Sequence, residues 1–126
     1  MPVYEEYVRD RADEAADARG QAEARLVATL DNGDPLEAIA VVAVVSARAV
    51  AGWWQRAVSL IDGEGADATE ALVRTRDAAR RALLDHVIPR HACPIEQEFA
   101  RVRVEAARSF YRATAHLDEV TARKVS

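Results

Sequence analysis

The residues best equipped for chemistry sit together in Asp85-His86-Val87-Ile88-Pro89-Arg90-His91-Ala92-Cys93, with Glu96 and Glu98 just beyond. Histidine, thiolate and carboxylate are the ligand types that zinc accepts. The spacing matches no closed zinc pattern, and Pro89 interrupts any helix between the two histidines. His86 falls on the apolar stripe of its segment. Glu98, folded back about residue 92, comes to the same level. The expected state is a buried His86 hydrogen-bonded to Glu98, with no metal and no cofactor. Cys93 has no base and orienting group beside it, so a nucleophilic role is not expected.

A second set lies towards the other end. Arg11 stands where an apolar residue is expected, and Tyr4, Tyr7, Trp53, Trp54, Thr75, Phe110 and His116 fall near its level. A guanidinium among aromatic faces makes cation–π contacts. It can also form one wall of a pocket for a small aromatic or anionic ligand. The plainer alternative is an arginine lying along the stripe edge with its head in water.

The remaining charges read as solvated faces. Glu6, Asp10, Asp13 and Asp17 share one helix face. A bundle di-metal centre needs Glu-x-x-His pairs, which are absent from the sequence. Arg74, Asp77, Arg81 and Asp85 alternate in sign, as do Glu98, Arg101, Glu105 and Arg108. A surface that tracks phosphates needs unneutralised arginines and exposed aromatics, so nucleic acid is not an expected partner. There is no Gly-rich phosphate loop and no Ser-His-Asp pattern. The reading leans away from an enzyme.

These residues must be held by helices. The chain has 126 residues, only five Gly and four Pro, and a net charge of −4. That length fits one domain, residues 1–126, with a core of its own. Breakers cluster at Asp31-Asn32-Gly33-Asp34-Pro35, Asp62-Gly63-Glu64-Gly65 and Pro89 to Pro94. They leave segments 3–31, 35–62, 67–88 and 95–123, each with apolar residues at helical spacing. Asp34, Pro35 and Glu37 form a capping box for the second segment, and Asp67 with Glu70 repeats it for the third. Short connections between long helices predict an all-α, antiparallel up-down-up-down four-helix bundle. Within it Trp53, opposite Ala12 and Ala15, is the expected core anchor.

The single cysteine, Cys93, excludes an internal disulfide and fits a reducing compartment. Met-Pro-Val-Tyr-Glu-Glu has no signal-peptide character. The most apolar run, Ala38 to Ala47, is too short to span a bilayer before Arg48 ends it. A soluble cytoplasmic protein without membrane contact is therefore expected. Lys124 is the only lysine, a bias of GC-rich bacterial or phage genomes.

Apolar residues also occur off the core stripes. Val41, Val44 and Val45 share a face with Glu37, Arg48 and Gln55. Ala100, Val104, Ala107 and Tyr111 recur opposite the stripe of the fourth segment. A monomeric bundle needs one stripe per helix, so second stripes predict burial against a partner. The functional expectation is a small non-enzymatic interaction or assembly protein that self-associates, most simply as a dimer, through these residues. The alternative is a small-molecule binding protein or enzyme with its pocket around Arg11 and the tryptophan pair.

Overall fold

The computed structural model describes residues 3–35, 37–86, 91 and 93–115. It contains four helices, α1 (Val3–Asp31), α2 (Ala38–Glu64), α3 (Ala68–Asp85) and α4 (Pro94–Ala115), and no strand among the described residues. His116 and residues 116–123 of the expected fourth helix lie outside the described residues, as do residues 87 and 88 of the third.

The helix ends follow local hydrogen bonding. Gly33, at φ 71°, closes α1. Its N–H donates to Leu30 O at 3.2 Å, and the Asp34 N–H donates to Thr29 O at 3.2 Å. This is the paired arrangement of a helix closed by a left-handed glycine. Asp34 does not cap α2 as its sequence suggests, because α2 starts at Ala38, too far along the chain. The residue before α2 is Glu37, whose side chain makes no capping bond, and the helix starts later than expected, at Ala38. Gly65, at φ 68°, ends α2 through a backbone bond to Leu60 O. Asp67 caps α3 as expected, with its Oδ1 accepting from the Glu70 N–H at 2.8 Å.

The core joins Val8, Ala12 and Ala15 of α1 to Ala51, Trp54 and Ala57 of α2, Leu72 and Ala79 of α3, and Ala107 and Phe110 of α4. α2 touches each of the other three helices, and α1 packs mainly on α2. Of the 27 residues of α2, only Val44, Ala51, Trp54 and Ala57 are buried, so the apolar character all round α2 is covered only in part within the chain. Val44 and Ala107, expected in an external seam, are buried, and Val41, Val45, Ala100, Val104 and Tyr111 are half-buried. The expected core anchor also changes: Trp54 is 5% exposed, whereas Trp53 is only half-buried.

By length and composition α2, with 27 residues, is long and apolar enough to cross a membrane. The expectation drawn from the shorter run Ala38 to Ala47 was too narrow, since the apolar character resumes beyond Arg48 with Ala49, Val50, Ala51, Trp53 and Trp54.

Helix lengths leave one region uncovered. α1 has 29 residues and α3 only 18. At 1.5 Å per residue, α3 falls roughly 16 Å short of α1. After Ala15 no residue of α1 is buried, and Val27 and Leu30 are 53% and 58% exposed. Across the turn, Ile39 is 74% exposed.

Thr75 of α3 is 1% exposed, and its Oγ1 has no hydrogen-bond partner. The other buried threonine, Thr114, donates to Phe110 O at 2.9 Å. An unsatisfied buried hydroxyl is destabilising, whereas a methyl group of the same shape is not. Thr75→Val is therefore expected to raise stability by about 1 kcal/mol in denaturant unfolding. The matching change Thr114→Val, which breaks a made bond, should not.

Candidate functional site

The residues expected around Arg11 do converge. Trp54 stands between two rings, with centroids 5.9 Å from Tyr7 and 4.7 Å from Phe110, both edge to face. Trp53 lies 6.2 Å from Phe110, and Tyr4 packs against the same core cluster. The Arg11 guanidinium carbon sits 5.6 Å from the Trp54 ring and 5.9 Å from that of Tyr7, as a cation–π contact requires. These contacts fill the space between the rings. The Arg11 side chain remains 45% exposed and pairs with Glu14 at 3.3 Å. Beside it is a hollow of about 210 Å³, lined by Arg11, Glu14, Ala15, Val50 and Trp54. Arg11 is an exposed cation on an aromatic cluster, and the space there is less than a drug-sized ligand fills. Thr75 is buried on α3 without a polar partner, and His116 lies outside the described residues.

A cleft of about 480 Å³ lies between α2, α3 and α4. α2 contributes Val45, Arg48, Ala49 and Trp53; α3 contributes Ala82, Leu83 and His86; α4 contributes Arg103, Val104 and Ala107. Three of these residues, Val45, Val104 and Ala107, were expected in an external seam, and Trp53 was expected beside Arg11. Trp53 instead has the Arg56 guanidinium carbon 5.7 Å from its ring and turns another part towards the cleft. The sequence did hold a signal for this site. Arg48 interrupts an apolar run on one helix, and Arg103 stands between Val102 and Val104 on another that proves to be its neighbour.

His86 does not meet Glu98. Its Nε2 is buried and without a hydrogen-bond partner. Glu98 is taken by Arg101, whose Nη2 donates to Oε2 at 2.7 Å and whose Nε donates to Oε1 at 3.1 Å. That hydrogen bonding holds the Glu98 carboxyl below the usual carboxylate range. The local pair wins because it spans one turn of a single helix, whereas the His86 contact must bridge two helices.

His91 and Cys93 are exposed. Among the described residues no three of His, Cys, Asp and Glu converge as a metal site would need. The acidic row Glu6, Asp10, Asp13 and Asp17 faces solvent throughout. Elsewhere the charges staple helices. Arg9 donates to Asp62 at 2.7 Å and to Glu5 at 3.2 Å, and its bond to Asp62 holds that carboxyl below its ordinary range. Arg48 donates to Glu23 at 2.9 Å.

No protein-family model matches this chain, and neither a curated protein nor a solved structure matches it.

Proposed function

We propose that this chain is a non-enzymatic helical-bundle interaction protein that self-associates, most simply as a two-fold dimer, through the turn end of the α1–α2 hairpin. The observation that carries this reading is the exposure of Val27, Leu30 and Ile39 on the two helices flanking that turn. Large apolar side chains this exposed, on neighbouring elements, lose free energy to water that a partner surface would recover. Ala24 and Ala28 of α1 and Ala38 and Ala43 of α2 are exposed beside them, and small residues let a second helix approach closely. The C-terminal half of α1 strengthens the reading, because a helix so lightly buried has little tertiary packing to hold it. Two-fold dimers are the commonest closed assembly and use one patch twice.

An antiparallel up-down-up-down order is the finer form of this fold that we favour. The pairs Arg9–Asp62 and Glu23–Arg48 support it, since both fit one antiparallel register of α1 on α2. We read the protein as cytoplasmic. Arg48 and Arg56 inside α2 disfavour a membrane span.

Hydrogen exchange read by mass spectrometry at two protein concentrations tests the surface. Amides of residues 24–31 and 38–43 are expected to exchange more slowly at the higher concentration, with the N-terminal half of α1 unchanged. Exchange independent of concentration at the turn end would refute the reading.

A further inference from the structure

The cleft between α2, α3 and α4 is built differently from the apolar turn end, and its chemistry points to a ligand. None of its lining residues is acidic, in a chain whose net charge is −4. Two guanidinium groups stand at its wall. Arg48 is engaged by Glu23 at 2.9 Å, whereas Arg103 makes no ion pair among the described residues. His86 also lines the cleft, but its Nε2 is shielded from solvent and so out of reach of a ligand there. The rest of the wall is apolar, with Trp53 as its one aromatic surface. At about 480 Å³ the cleft is in the size range of small-molecule sites and too small for a helix.

We propose that this cleft binds a small organic carboxylate with a planar apolar body. Arg103 receives the carboxylate, since guanidinium and carboxylate match as a charge-assisted pair. The apolar body lies against Trp53 and the side chains of Val45 and Val104. One guanidinium with no ion pair among the described residues suits a monoanion. A phosphate would leave the apolar wall unused and calls for more donors than this. The site is separate from the self-association surface proposed above and stands without it.

The probe is 2-naphthoate, with 2-naphthamide as its neutral isostere, titrated calorimetrically into the full chain. One naphthoate per chain is expected to bind, with the amide weaker by about tenfold or more. Arg103→Gln should weaken naphthoate by a similar factor, and Ala82→Leu, which fills the cleft from an exposed position of α3, should abolish binding. Arg11→Gln, on the separate aromatic cluster, should leave it unchanged. All three variants alter exposed residues, and circular dichroism confirms that each is folded. Absence of binding at millimolar probe would overturn the proposal. So would equal affinity for acid and amide, or a loss caused by Arg11→Gln and not by Arg103→Gln.

Discussion

Replacing Trp54 by alanine is expected to cost about 3–5 kcal/mol in denaturant unfolding, the range of large-to-small changes in a closed core. Trp54 is 5% exposed and holds Tyr7 and Phe110 edge to face. It fills a space whose other buried members include alanines at positions 12, 15, 51 and 57. Alanines cannot move in to close the hole, so the loss combines lost burial with an unrelaxed cavity. Domains of this size are stable by only about 5–15 kcal/mol, so the variant should sit close to unfolding. Trp53→Ala, at a half-buried cleft wall, should cost about 1–2 kcal/mol. A larger loss for Trp53 than for Trp54 would mean that the core is arranged about the other indole.

The second large effect is expected at the turn end. Leu30→Glu together with Ile39→Glu should dissociate the proposed dimer while leaving helix content unchanged, because both side chains are exposed in the single chain. Burying a leucine or isoleucine contributes about 1.5–3 kcal/mol, and a two-fold interface counts each position twice. The new carboxylates would also join Asp31, Asp34 and Glu37, all exposed around the same turn. Like charges forced together at an interface oppose association. Loss of this burial and added repulsion should together weaken association by about a thousandfold or more. Loss of helix content in the double variant would instead show that the turn end is needed for folding.

Much of the fold was legible because it is written locally. Glycines at 33 and 65 and the Asp67–Glu70 cap mark helix ends through bonds that span only a few residues. The bounds of α1 follow from such signals alone. Asp34 misled because α2 starts at Ala38, beyond the reach of an Asp34 cap. Choosing between Trp53 and Trp54 was beyond periodicity. The two point about 100° apart, and a helix that is apolar all round gives no phase from which to choose. The off-stripe valines of α2 and the small residues of α4 were legible as surfaces needing cover. A sequence does not say whether that cover comes from the same chain. Here Val44 and Ala107 are buried within the chain, and Val45 and Val104 line a shared cleft. The cleft itself depends on the lateral order of three helices, a property of packing and not of any one helix. The expected His86–Glu98 bond failed for a related reason, since Arg101 was closer along the helix.

Sedimentation velocity of the wild-type chain at tens of micromolar tests self-association most directly. The account requires a species of twice the chain mass that gives way to the single chain on dilution, and that is absent from the Leu30→Glu, Ile39→Glu variant. A wild-type chain that sediments as a monomer across that range would contradict it.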